Sequence, residues 1–207
     1  MSQALRNYHH GDLRNALIIA AAELIERDST LDFTMAAAAA RAGVSAAAPY
    51  RHFADKEALV RAVRQLAILG LGNRAAKAAS LHPGGSIEGI LAMGHTYLHY
   101  AREKRAFFSL MWEDRGNIEE IRENVAQEDH GGFMILVGLV KAFCEHNSDT
   151  AIDGVYLATQ IWSMTHGVAT LEASQLINLF DRSIDPEALL DQSVRTLLVG
   201  ATGHQPL

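Results

Sequence analysis

A single cysteine, Cys144, excludes an internal disulfide framework, so the fold must be held by its core. The lone thiol reads as a small buried hydrophobe of a reducing compartment. No apolar run approaches the ~20 residues needed to span a bilayer. The longest, Ala16–Ala22 and Phe133–Val137, stop far short. Residues 1–13 are polar and carry no apolar signal core, which predicts a cytoplasmic protein with no membrane partner. Only four prolines punctuate the chain, and no stretch sustains the alternation of a half-buried strand, so helices are expected throughout. A glycine-rich phosphate loop, a nucleophile elbow and a cysteine pair are also missing. Their absence leaves no catalytic motif and no cofactor to expect, and the chain reads as a non-enzyme.

What is present is ordinary for a globular protein: 207 residues, 49% hydrophobic and 20% charged. The net charge of −6 speaks against nucleic acid until its distribution is read. Residues 1–65 hold eight Arg/Lys against seven Asp/Glu, a net +1, while residues 66–207 hold ten against seventeen, a net −7. His9, His10 and His52 can add positive charge near phosphates. The acidity therefore belongs to the C-terminal part, and the N-terminal part stays compatible with DNA.

Helical signals follow one another along the chain. Leu13, Leu17, Ala20 and Leu24 mark one face of a first helix, with Asp12 as its expected N-cap. Thr34 is placed to cap a short helix, Met35–Ala42, in which Ala36–Ala40 favour helix strongly. Gly43 supplies the left-handed residue that ends it, Val44 turns inward, and Ser45 is expected to cap a third helix, Ala46–His52. Asp55 caps a fourth that begins at Lys56 and carries Leu59, Val63 and Leu66 along one side.

A break at His82–Gly85 separates these from a helix restarting at Ser86, a turn at Lys104-Arg105, and an aromatic helix with Phe107, Phe108, Met111 and Trp112. Residues 113–129 read as an acidic exposed connection. Three helices remain: Phe133–Cys144, about Thr150–Ala173, and Pro186–Val199, the last with Asp185 as cap and Gly200 just past its end. The expected fold is all-α with about nine helices, a three-helix unit over 1–65 and a larger helical unit over 66–207.

The segment Thr34–Leu59, TMAAAAARAGVSAAAPYRHFADKEAL, has helix-turn-helix spacing, with the second helix destined for the major groove. AGVS followed by YRHFADKEAL closely resembles the DNA-binding domain of the TetR family of regulators, and YHHGDLR at Tyr8–Arg14 resembles the N-terminal arm of one branch of it. The resemblance implies a homodimeric repressor on double-stranded DNA with a palindromic operator, released by a small-molecule effector whose identity the sequence does not give.

Residue by residue, Thr34 and Ser45 sit at helix N-termini, where hydroxyls and free amides suit phosphate. Tyr50 and His52 match backbone-contacting positions of the family. Lys56 opens the fourth helix with charge and helix dipole both favouring a phosphate, and Phe53 matches the family's core aromatic. Ala46, Ala47, Ala48 and Pro49 fill the leading half of the recognition helix and offer no side-chain hydrogen bond to a base edge. Thymine methyls, backbone contacts and DNA shape must then do more, with Arg6 and Arg14 available for further contacts.

In the C-terminal part Trp162, His166 and Gly167 resemble the signature of the family's Trp-His-Gly branch. Val155, Thr159, Trp162, His166, Ala169 and Ala173 follow a seven-residue repeat, a stripe that suits a core, a dimer interface or a pocket wall. Leu189, Leu190, Val194, Leu197 and Leu198 give the last helix an apolar face expected to complete the interface. Phe107, Phe108, Met111, Trp112, Phe133, Leu136 and Trp162, with His95, Tyr97 and His166 as polar groups, are candidates for an effector pocket or simply for core.

Two rivals stand beside the regulator. His95 and His99, one helical turn apart, have zinc-ligand spacing, but the Glu of a metalloprotease motif does not follow His95 and no third ligand is identifiable. No metal is expected there. An architectural DNA-binding protein without effector would bind salt-dependently and indifferently to sequence.

Overall fold

The computed structural model describes residues 3–112, 131–147, 153–179 and 181–202 (of residues 3–12, the backbone alone). Among them are eight α-helices, one 3₁₀ turn and no strand. In chain order these are α1 (Gln3–Asp28), α2 (Met35–Arg41), the 3₁₀ turn Pro49–Arg51, α3 (Lys56–Ala79), α4 (Ile87–Glu103), α5 (Arg105–Trp112), α6 (Gly131–His146), α7 (Gly154–Ala173) and α8 (Pro186–Ala201). The acidic connection expected over 113–129 lies outside the described residues.

Polar caps start the helices where short polar side chains precede apolar runs. Thr34 Oγ1 accepts from Ala37 N at 3.1 Å, Asp55 Oδ1 from Ala58 N at 2.7 Å, and Asp185 Oδ1 from Glu187 N at 3.2 Å. Ser86 and Asp153 do the same for α4 and α7. Each such cap contributes about 1 kcal/mol by satisfying a backbone donor that the helix leaves orphaned. Gly43, at φ +72°, makes the left-handed turn after α2 that its position demands.

Three expected boundaries move. The first helix begins at Gln3, not after Asp12: no proline interrupts residues 3–12, and the helix carries through Asn7 and Gly11. The last helix runs through Gly200 to Ala201, with Thr202 as a right-handed cap whose Oγ1 donates to Val199 O at 2.8 Å. A side chain that satisfies a terminal carbonyl removes the need for a left-handed glycine. The expected third helix is a set of tight turns, for a reason given with the site below.

The chain divides into two compact units, Met1–Ala67 with Lys104–Asp114, and Ile68–Glu103 with Arg115–Leu207. α3 contributes residues to both. In the first unit Leu17, Ala21, Ile25, Leu59 and Val63 are fully buried, and Phe53 nearly so. α5 belongs here: it packs on α1, buries Phe107, Phe108, Leu110 and Met111, and is tied to α3 where Arg64 Nε donates to Leu110 O at 2.8 Å.

The second unit packs α4, α6, α7 and α8 around Leu98, Val140, Leu157, Leu190, Val194 and Leu198. Burying each such side chain contributes about 1.5–3 kcal/mol. Gly85, also at φ +72°, lies where a Cβ would meet the Ala142 carbonyl carbon at 2.7 Å, so the turn before α4 admits no side chain there.

Candidate functional site

The helix-turn-helix is assembled from α2, the tight turn and the start of α3, all in the first unit. Met35, Ala38 and Ala39 bury one side of α2 against α1, and Arg41 pairs with Glu23 at 2.6 Å across that contact. Alanine suits this contact because a methyl lets two helices approach closely.

The turn itself departs from a helix over Ala46–His52. Pro49 carries no N–H to bond the Ser45 carbonyl, and its ring crowds that carbonyl. Ala48 N takes Ser45 O instead at 2.9 Å, Arg51 N takes Ala48 O at 3.2 Å, and His52 N takes Pro49 O at 2.9 Å. These are three-residue spacings, so the segment is 3₁₀-like and tighter than an α-helix. Ser45 therefore joins the turn through its carbonyl, and no side-chain cap starts the 3₁₀ turn.

The side chains fall into two groups. Pro49 and Phe53 are buried and anchor the turn; Ser45, Ala46, Ala47, Tyr50 and Arg51 are exposed, Tyr50 to 60%; Ala48 and His52 are half-buried. Cations flank the turn on aromatic supports. Lys56 Nζ lies 5.0 Å from the Phe33 ring centroid, and Arg14 Cζ lies 5.2 Å from that of Phe53. Such contacts stabilise by about 0.5–1 kcal/mol at exposed sites and fix where the charge stands.

Among the described side chains of α1, the acidic ones are each paired with a cation. Glu23 is held by Arg41, Glu26 by Lys104, and Asp28 by Arg27. The Arg27 hydrogen bond keeps the Asp28 carboxyl below its ordinary value.

The candidate effector residues separate between the units. Phe107, Phe108 and Met111 are buried in the first, with Trp112 edge-on to Phe108 at 6.5 Å between centroids. In the second, Phe133 meets Trp162 edge-on at 5.9 Å, Trp162 lies 6.1 Å from His166, and Tyr97 Oη shares a 2.9 Å hydrogen bond with His166 Nδ1. Phe133, Trp162, Tyr97 and His166 are all half-buried, and they form one aromatic and polar group drawn from α4, α6 and α7.

His95 and His99 face carboxylates of α8 instead of each other. His95 Nε2 lies 2.5 Å from Asp191 Oδ1, and His99 Nε2 lies 3.2 Å from Glu187 Oε1. With Arg102 bonded to Glu187 at 2.6 Å and Arg195 near Glu88 at 3.8 Å, they complete an antiparallel charge ladder between α4 and α8, and Arg102 also reaches Glu172 of α7 at 2.6 Å. Burial works against the Arg102 charge, yet the hydrogen bonds it donates to Glu187 and Glu172 raise its affinity for the proton. Arg102 in turn holds Glu187 below the usual carboxylate range. The i, i+4, i+7 spacing of His95, His99 and Arg102 puts the three on one helix face, but nothing in the sequence names Glu187 and Asp191 as their partners.

The heptad-spaced stripe on α7 is not the centre of its buried face. Gly154, Leu157, Ala158, Ile161, Thr165, Val168 and Ala169 fill the core. The stripe runs along its flank, with Val155 and Thr159 exposed and Trp162, His166 and Ala173 half-buried. On α8, Leu190, Val194 and Leu198 are consumed by the subunit's own core, and Leu189 and Leu197 are half-buried.

Comparisons with known proteins bear on this arrangement. The family profile described as "Tetracyclin repressor-like, C-terminal domain" matches residues 90–197, and "Bacterial regulatory proteins, tetR family" matches residues 17–63. Neither match speaks to the Trp-His-Gly branch. No curated protein matches the chain.

Among solved structures, a protein of unknown function from Rhodococcus sp. RHA1 is similar, with TM-score 0.74, 24% identity, and coverage of 94% of this chain and 98% of that one. A TetR family transcription regulator from Marinobacter aquaeolei VT8 follows with TM-score 0.63, 15% identity and coverage of 91% and 97%. The TetR family regulator PfmR from Thermus thermophilus gives 0.58, 20%, and 88% and 96%. At these identities the likeness is one of fold.

Proposed function

The chain belongs to the TetR family of DNA-binding transcription regulators, and from that premise we propose that it is a homodimeric repressor, held on a palindromic operator and released by a small molecule. The observation that carries DNA binding is the turn after Gly43. It is anchored from below by Pro49 and Phe53, presents Tyr50 and Arg51 outward, and is flanked by Arg14 and Lys56 on their aromatic supports. Thr34, Ser45, Tyr50, His52 and Lys56 position phosphates, while Ala46–Ala48 meet the groove; Pro49, expected there too, is buried and supports the turn instead.

The exposed faces of α7 and α8 support the dimer. Tyr156, Met164 and Leu171 share one side of α7 and are each at least 38% exposed, and no charged side chain stands between Asp153 and Glu172. An uncharged helix face of this length suits a two-fold partner, which sees the same surface. Paired recognition turns would then enter successive major grooves, and the half-site spacing would depend on their separation.

The effector reading rests on Phe133, Trp162, His166 and Tyr97; His95 turns to Asp191 of α8, and Phe107, Phe108, Met111 and Trp112 belong to the first unit, so these five stand outside that group. A ligand that prefers one conformer of the second unit would shift the separation of the turns and weaken DNA binding by its differential affinity. α3, which contributes to both units, is the element to carry the shift. The alanines of the turn favour the rival, a sequence-indifferent architectural protein.

The test is sedimentation of the full chain and of a Tyr156→Glu/Met164→Glu variant, with and without duplex DNA. We expect a dimer for the wild type, two chains per palindromic duplex, and a folded monomeric variant at least about tenfold weaker on DNA. A monomeric wild type with one chain per site would refute the dimer.

A further inference from the structure

The proposed function leaves open how a turn built of alanines distinguishes one DNA sequence from another. Of the exposed residues between Ser45 and His52, two are alanines, Ser45 and Tyr50 carry one hydroxyl each, and Arg51 alone carries a planar fork of donors. Arg51 sits at the end of the 3₁₀ turn, three residues after Ala48 and four after Ala47. At three residues per turn, positions 48 and 51 stand nearly in line, so short side chains lie on the side from which the guanidinium extends.

The other cations of the first unit are mostly engaged. Arg14 and Lys56 lie over aromatic rings, Arg27, Arg41 and Lys104 pair with carboxylates, and Arg64 donates to a carbonyl. Arg61 and Arg105 are exposed but stand on α3 and α5, outside the turn. Among the described residues the Arg51 guanidinium has no hydrogen-bond or ion-pair partner.

We propose that Arg51 is the specificity-determining residue of this chain, binding the N7 and O6 acceptors of one guanine per half-site in the major groove. The proposal rests on the sequence-specific regulator argued above. Guanine is the base whose groove edge offers two acceptors matched to a guanidinium fork. Phosphate contacts are supplied by the ring-supported cations, whose fixed positions suit a backbone that carries no sequence information. Alanines at 46–48 leave the groove floor to a side chain long enough to reach it.

The test uses the full chain and the palindromic duplex recovered by it from a random pool, read by fluorescence anisotropy. Each guanine of the half-site is replaced in turn by 7-deazaguanine, which lacks the N7 acceptor. At one guanine we expect the wild type to lose about tenfold or more in affinity, and Arg51→Ala to lose less than about twofold. Arg51→Ala should also accept any base pair there. Arg51→Lys, which keeps the charge but not the fork, should keep the salt dependence and lose the discrimination.

Indifference of the wild type to every deazaguanine would overturn the proposal. So would an Arg51→Ala variant that weakens on all sequences alike with a shallower salt slope, since that is the signature of a phosphate contact. A wild type that recovers no preferred sequence would remove the regulator reading itself, and the proposal with it. Equal melting temperatures of the three proteins confirm that an exposed residue was changed without loss of fold.

Discussion

A single charge and a single missing Cβ show how much individual positions decide. Lys56 opens α3 with its ammonium over the Phe33 ring, where the helix N-terminus and the ring both fix it. Lys56→Ala should weaken binding to every duplex alike and reduce the slope of log affinity against log salt by about one. An unchanged slope in an anisotropy titration would remove Lys56 from the phosphate contacts.

Gly85 combines φ +72° with an approach that puts a Cβ 2.7 Å from the Ala142 carbonyl carbon. Gly85→Ala should therefore cost at least about 2 kcal/mol in urea unfolding, adding left-handed strain to overpacking. A cost under about 0.5 kcal/mol would show that the turn can relax. Both positions were visible in the sequence, one as the start of a motif and the other within a Pro-Gly-Gly break. Arg51 was passed over because a lone arginine inside YRHF has no spacing signal; only its exposure and its missing partner distinguish it.

Elements were read well where their limits are local chemistry. Thr34, Asp55 and Asp185 cap the helices they were expected to cap, since the hydrogen bond is made within three residues. The recognition segment was misread because one proline outweighs the helix preference of three alanines. Pairing between helices was the least legible, as the α4–α8 ladder joins residues nearly 100 apart.

The ladder makes stability depend on pH. Arg102 depresses Glu187 below its ordinary value, so the pair stabilises the folded state above the unfolded carboxylate value near ~4.3 and is lost as pH falls through the lower folded one. Glu187 is 38% exposed, which limits the effect to about 1 kcal/mol or less. Glu187→Gln should flatten the acid limb of unfolding free energy between about pH 5 and 3. An acid limb as steep as the wild type's would place the proton uptake elsewhere.

At the scale of the whole molecule, the uneven charge of the sequence, +1 over residues 1–65 and −7 beyond, leaves the N-terminal part compatible with DNA. The all-helical class was also legible. The membership of α5 was not, because an aromatic helix reads equally well as pocket wall or as core. What placed it in the first unit was contact with α1, and no periodicity reveals which neighbour an apolar face will find.

The central claim is that the paired turns recognise a sequence, despite Ala46–Ala48. It is tested most directly by selecting bound duplexes from a random pool with the full chain at physiological salt. One palindrome, with half-sites about one helical turn apart or a multiple of it, is the predicted recovery. Recovery of no sequence above background, with binding that falls steeply in salt on every duplex, would contradict the account and establish the architectural alternative.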